Sequence, residues 1–337
     1  MIAIVKLEWG DGIKIEINMI FFTVIITTYN RANLVATAVK SVIHQTFQDF
    51  ELIIVDDAST DGTEKIIKQF EDSRIRYFKN ESNLHKGGAR NKGIELSSGQ
   101  HICFLDDDDY YLPNHLDTFA NYLMKNRSFE GLLFTMPTTQ KIGEQEIKKS
   151  LLPEIGDTHP VAYLFHHKNG VPTPRVCIPS NILKVFKFNE NIRIGQDTEL
   201  FLRIASRYQI IPIFKNTVVQ VKHEENSGAL KFNSGKYRLE GYKYIFSNKD
   251  VAKFIPWTLK NYMISYCYRR MTDHYNYIGD QRNTLKSAFK SLYYSPFDKD
   301  FKIKIGISLY AKSLWDGFSK FHNQINPFLK LNRVRCF

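Results

Sequence analysis

Three short apolar runs of strand length, each closing on oxygen-bearing side chains, set most of what this chain can become. They are 22–27 (FTVIIT), 50–55 (FELIIV) and 101–105 (HICFL), followed by Thr28, Asp56-Asp57 and Asp106-Asp107-Asp108-Asp109. Between the first two lies 34–46, with Leu34, Val35, Ala38, Val39, Val42 and Ile43 at helical spacing. After Gly62 comes a helix carrying Ile66, Ile67 and Phe70, which Ser59, Thr60 and Asp61 have the chemistry to cap. Residues 75–78 (IRYF) read as a third strand, and 87–97 as a helix with Gly99 near its C-terminal end. Strands alternating with helices imply right-handed crossovers and a parallel sheet with both faces covered. Ligands of such sheets bind outside the carboxyl ends of the strands. Here three polar clusters converge on that rim.

With 43% hydrophobic and 24% charged residues, the 337-residue chain is not disordered wholesale, and it has room for a large domain with an appendage. Cys103, Cys177, Cys267 and Cys336 show no metal-ligand spacing and read as free thiols of a reducing cytoplasm. No continuous apolar run is long enough to cross a bilayer, so a cytoplasmic protein is expected. Residues 1–18 are broken by Lys6, Glu8, Asp11, Lys14 and Glu16; they form no signal peptide and read as an extension without chemistry. The net charge of +11 is segregated: from Phe232 onward there are 19 Lys and Arg against 7 Asp and Glu, while the remainder holds 27 against 28. A basic C-terminal third points to an anionic partner.

Four consecutive aspartates after a buried strand repel one another, so folding tolerates them only where something neutralises the charge. Carboxylate oxygens suit a hard divalent cation, Mn2+ or Mg2+, and two of them at i and i+2 can share it with nucleotide phosphates. A solvated acidic turn is the competing reading, and Asp56-Asp57 on the same sheet edge weighs against it. That pair can accept hydrogen bonds from a nucleobase or ribose, or can serve only its own loop. Asn83–Asn91 is a glycine-bearing loop opening a helix, where backbone N–H groups favour an anion and Arg90 can add a contact to phosphate. Gly-Gly before a helix is common, so this segment alone decides little. Downstream, 196–207 (QDTELFLRIASR) reads as a helix that Asp197 could cap, and 210–221 as strand ending near His223. Residues 136–180 hold six prolines and no clear period, and from 237 onward the chain reads as mostly helical.

Thr27-Thr28-Tyr29-Asn30-Arg31, Val55-Asp56-Asp57-Ala58-Ser59-Thr60-Asp61-Gly62-Thr63, Ala89-Arg90-Asn91-Lys92-Gly93 and Phe104-Leu105-Asp106-Asp107-Asp108-Asp109 occur in that order. Their order and spacing resemble family-2 glycosyltransferases, closely over 22–135 and more loosely over 175–230. The resemblance implies an α/β, Rossmann-like, mostly parallel sheet with flanking helices, the glycosyltransferase A-type fold, with a helical C-terminal extension. It implies that Thr27, Tyr29 and Arg31 hold the base and ribose of a nucleotide. Asp57 would read a uracil ring, and Arg90 would lie near base or diphosphate. Asp108 would ligate the metal, and Asp106 or Asp107 would contact ribose or a metal-bound water, Asp106 counting also as a ligand. Gln196-Asp197 stands where the family usually has Glu-Asp, so Asp197 would be the general base. His223 resembles the family's loop histidine, a further metal ligand or diphosphate contact, although a lone His after a strand is more often structural.

The expected activity is inverting, non-processive transfer from a nucleotide-sugar, UDP foremost, to a saccharide or lipid-linked saccharide, in cell-surface polysaccharide or lipopolysaccharide synthesis. Processive relatives carry Gln-x-x-Arg-Trp, whereas Trp9, Trp257 and Trp315 have no preceding Arg. The layout expected is an extension over 1–18, a catalytic domain over 19–230 (nucleotide half 19–135, acceptor half 136–230) and a basic helical region over 231–337. Most of that region reads as helices packing back onto the catalytic domain. Residues 305–335 read as a basic amphipathic stretch suited to the inner face of an anionic membrane. No nucleic-acid module is recognised. A nucleotidyltransferase would carry a glycine-rich basic loop in place of Thr27–Arg31, and a non-catalytic scaffold would not need Asp57, Asp108 and Asp197 together.

Overall fold

The computed structural model describes residues 20–141, 143–144, 146–166, 171–222 and 233–295. Residues 1–18, His223 and the 305–335 stretch lie outside the described residues. The chain opens β1 (Phe22–Thr28), α1 (Val35–Ile43), β2 (Phe50–Asp56), α2 (Thr63–Ile67), β3 (Ile75–Lys79), α3 (His85–Leu96) and β4 (His101–Asp106). It continues through β5 (Tyr110–Tyr111), α4 (His115–Lys125), β6 (Gly131–Thr135), β7 (Thr138–Lys141), β8 (Ile147–Lys149) and α5 (Pro160–His166). Then come β9 (Val176–Pro179), α6 (Ser180–Val185), α7 (Gln196–Ala205), β10 (Gln209–Ile213) and β11 (Val218–Lys222). Four helices close the described chain: α8 (Ser234–Ser247), α9 (Lys249–Ala252), α10 (Trp257–Tyr277) and α11 (Gln281–Tyr294).

The large sheet has the order β10-β6-β9-β4-β1-β2-β3, and β5-β11-β7-β8 form a small second sheet. In the large sheet β9 runs antiparallel to both its neighbours, and the other pairings are parallel. From β1 the order runs outward to β2 and β3 on one side and to β4 on the other. The β1/β4 boundary is therefore a topological switch point, and Thr27 lies level with Asp106 there.

Alternation along the strands feeds two cores. Val24, Ile26, Leu52, Ile54, Cys103 and Leu105 pack with Val35, Val39 and Val42 of α1 and with Leu116 and Phe119 of α4. Ile25, Ile53, Ile102 and Phe104 pack on the other face with Ile94, Leu164, Leu200 and Phe201. Burying each such side chain contributes roughly 1.5–3 kcal/mol. Ile245, Val251 and Met263 of the C-terminal helices, and Ile255 between two of them, belong to this second cluster. Among the described residues no helix is long and apolar enough to cross a membrane.

Two local expectations change. Gly99 is not a helix cap: a Cβ there would lie 2.5 Å from Thr23 N, so close approach to β1 is what requires glycine. The apolar stretch 210–221 is not one strand. Its first part, β10, edges the large sheet, where Pro212 needs no ladder partner for a missing N–H, and its second part, β11, joins the small one.

Candidate active site

The loops leaving β1 and β2 are joined by hydrogen bonds that explain why Asn30, Ser59, Thr60, Asp61 and Thr63 are polar. Asn30 N donates to Ser59 Oγ (2.9 Å), Thr60 N to Asn30 Oδ1 (2.8 Å), Arg31 N to Thr63 Oγ1 (3.0 Å) and Ala32 N to Asp61 Oδ2 (3.1 Å). Of the three residues expected to cap α2, only Asp61 accepts from its first turn, at Thr63 N (2.9 Å). Tyr29 and Arg31 stand exposed at the mouth of this joint, while Thr27 is buried beneath it.

Asp56 and Asp57 part ways. Asp56 is committed on both oxygens, to Ser59 N (2.7 Å) and to Tyr77 Oη (2.7 Å). Asp57, also buried, accepts from Asn80 Nδ2 (2.9 Å) and Leu84 N (2.8 Å) on Oδ1 alone. Its Oδ2 takes no hydrogen bond from the described residues. Asn30, Ala58 and His85, none of them glycine, hold φ of 51°, 68° and 60°. Asn30 and Ala58 lie in the loops of this rim and His85 opens α3, in a region where strained backbone commonly gathers.

The aspartate run folds as a tight turn in which Asp109 N donates to Asp106 O (3.2 Å). This brings oxygens of Asp106, Asp108 and Asp109 within 4.8 Å of one another, and turns Asp107 into the interior. Asp109 is the member that sequence reasoning missed. The turn geometry selects it, and four identical residues in a row conceal it. Asp106 meets Arg90 Nη2 at 2.7 Å and Lys86 Nζ at 3.8 Å. Burial works to raise the Asp106 pKa, but those two cations outweigh it and hold the group at about 2. Burial and then the charges of Asp108 and Asp106 push Asp107 up to about 6. Burial and the charges of Asp106 and Asp108 push Asp109 up to about 8, although Val221 N donates to it at 3.0 Å. The set offers only oxygen donors and crowds three carboxylates together beside Arg90 and Lys86. That chemistry fits Mg2+ or Mn2+. Arg90, expected near base or diphosphate, is buried in its ion pair with Asp106.

The segment that leads to Asp197 is docked on α3. Asn91 donates to Phe188 O (3.0 Å) and Glu190 Oε1 (2.8 Å) and accepts from Phe188 N (2.9 Å), docking the segment ahead of α7 against α3. A Cβ at Gly87 would sit 3.7 Å from Gln196 Nε2. The opening turns of α3 therefore touch Asp106 through Lys86 and Arg90, and α7 through Gly87. Gly195, at φ 87°, turns the chain into α7, whose second residue, Asp197, is half-buried and accepts from Thr198 N (2.7 Å).

Residues 23–140 match the family model described as Glycosyl transferase family 2. An uncharacterized glycosyltransferase of Methanocaldococcus jannaschii is 31% identical over 199 residues, covering 58% of this chain and 68% of the relative. One of Rickettsia bellii is 30% identical over 251 residues, 70% of this chain. The chain spans only 34% of that relative's length, and 42% and 44% of those from Rickettsia felis and Rickettsia conorii. A Campylobacter jejuni protein named GalNAc(5)-diNAcBac-PP-undecaprenol beta-1,3-glucosyltransferase is 42% identical over 100 residues, 28% of this chain and 32% of the relative. Among solved structures, S. aureus TarS 1–349 in complex with UDP-GlcNAc aligns with TM-score 0.56 at 17% identity, covering 81% of this chain and 91% of that one. The mannosyltransferase PcManGT of Pyrobaculum calidifontis, in complex with GDP-Man and Mn2+, aligns with TM-score 0.50 at 16% identity, covering 89% and 80%.

Proposed function

The chain belongs to glycosyl transferase family 2, and from that premise we propose that it moves a sugar from a nucleoside diphosphate, UDP foremost, to a hydroxyl of a lipid-linked saccharide, inverting the anomeric carbon. The observation that carries this reading is the bridge made by the opening turns of α3 between the aspartate cluster and the start of α7. Donor, diphosphate and base would then share one rim. The free Oδ2 of Asp57 suits the imide N–H of uracil, with Tyr29 and Arg31 at the mouth for base and ribose, and Thr27 beneath. Asp106, Asp108 and Asp109 would hold a divalent cation, whose charge, when bound, stabilises the departing diphosphate. Support for these assignments comes from a neighbour crystallised with UDP-GlcNAc and another with GDP-Man and Mn2+. Support for a lipid carrier comes from the undecaprenol-linked substrate in the name of the Campylobacter relative. Assembly of a cell-surface polysaccharide or lipopolysaccharide is the setting this implies.

Asp197 takes the proton of the acceptor hydroxyl as that oxygen attacks the anomeric carbon from the face opposite the diphosphate. A carboxylic acid is far stronger than a sugar hydroxyl, so the proton moves as the new C–O bond forms and not beforehand. Arg90 and Lys86 hold the Asp106 carboxylate in place while this happens. Asp197→Asn should lower turnover of a UDP-sugar by about a hundredfold or more and leave UDP affinity unchanged. Near-normal turnover in that variant would remove Asp197 from the base role. Release of inorganic pyrophosphate instead of UDP would favour nucleotidyl transfer.

A further inference from the structure

We propose that α11 is a docking face for an anionic lipid bilayer. This helix is amphipathic in the reverse of the usual sense. It buries Thr284, Ser287, Ala288 and Ser291 toward α10, where Ser265 Oγ donates to Ser291 O at 3.0 Å. It leaves Leu285, Phe289 and Tyr293 exposed by 40%, 60% and 81%. These three recur at i, i+4 and i+8, a single row along one side of the helix. Arg282, Lys286 and Lys290, all exposed, form a second row at the same spacing beside the first. The helix carries no Asp or Glu.

An apolar row of this size, open to water on a folded protein, asks for a cover. The chain's own residues 296–337 hold eight Lys and Arg against three Asp, so laying them on a row of three cations sets like charge on like. A second copy presenting the same face meets the same repulsion. An anionic leaflet satisfies both rows at once. Leu285, Phe289 and Tyr293 enter the boundary between headgroups and acyl chains, and the cations lie at the phosphates. Each Lys or Arg near such a surface strengthens partitioning about fivefold, and salt weakens the effect.

The inference stands apart from the transfer chemistry, because vesicle binding is measured with neither donor nor acceptor. The full chain is sedimented with phosphatidylcholine vesicles, and with vesicles in which part of that lipid is replaced by phosphatidylglycerol. The protein should pellet with the second and not the first, and salt should release it. K286E/K290E and L285S/F289S should each weaken partitioning about tenfold or more while keeping the wild-type circular dichroism spectrum. These are surface positions, so loss of fold is not expected to obscure the result. Failure of the wild-type chain to bind phosphatidylglycerol would overturn the proposal and leave an acidic protein as the better fit. Undiminished binding by both variants would overturn it too, since another part of the chain would then hold the membrane.

Discussion

Ala58 sits at φ 68° between two residues that are held from several sides. Asp57 N donates to Thr28 O at 2.8 Å, its Oδ1 is taken by Asn80 and Leu84, and Ser59 N is bound to Asp56. Those bonds impose a left-handed turn that costs an alanine about 1–2 kcal/mol. Ala58→Gly should therefore raise stability by about 0.5–1 kcal/mol, read from the urea midpoint, and a fall would mean the turn is not strained. The same turn aims Asp57, so the strain lies where the nucleotide is proposed to bind. At this scale the sequence was informative wherever a carboxylate follows an apolar run, as at Asp57, Asp106 and Asp108. It was uninformative where the partner comes from a distant element. Nothing local distinguishes Asp109 from its three neighbours until the backbone turn closes on Asp106. Nothing in Ala89-Arg90-Asn91 says that Arg90 faces Asp106.

Helix α8 packs behind the segment that leads into α7, and its Gly241 marks how closely. A Cβ there would lie 2.8 Å from Ile194 O, one residue ahead of the Gly195 turn and three ahead of Asp197. Gly241→Val should push that segment and lower turnover about tenfold or more, with UDP affinity kept and a stability cost of about 1–3 kcal/mol. Equal loss of UDP affinity and turnover would contradict a local effect on Asp197. Elements with a plain period, such as α1 and β2, could be read directly from the chain. The short β9 could not. β9 is the four-residue run Val-Cys-Ile-Pro inserted antiparallel between β4 and β6, and its partners lie about 40 to 80 residues away. The C-terminal helices were legible as helices, but α11 exposes its large apolar residues and buries small ones. Periodicity finds such a helix and assigns its buried face wrongly.

For the molecule as a whole, the switch point between β1 and β4 gathers the half proposed to bind the nucleotide, and the opening turns of α3 lie between the aspartate cluster and the start of α7. In the site as proposed, one half holds Asp57 and the aspartate cluster, and the other holds Asp197. That Asp56-Asp57 and Asp106 share one edge was legible in the order of strands, because the ends of parallel neighbours lie together. The second half depends on how α7 is docked by Asn91 and backed by α8, which no single stretch of sequence records. The aspartate cluster is proposed to bind a nucleoside diphosphate through a divalent cation. Calorimetric titration of UDP into the full chain, with Mn2+ and then with excess chelator, tests it most directly. Micromolar binding is expected with Mn2+, abolished by chelation and weakened at least about tenfold by Asp108→Asn. Binding of equal strength with and without metal would contradict the claim, as would no binding of UDP in either condition.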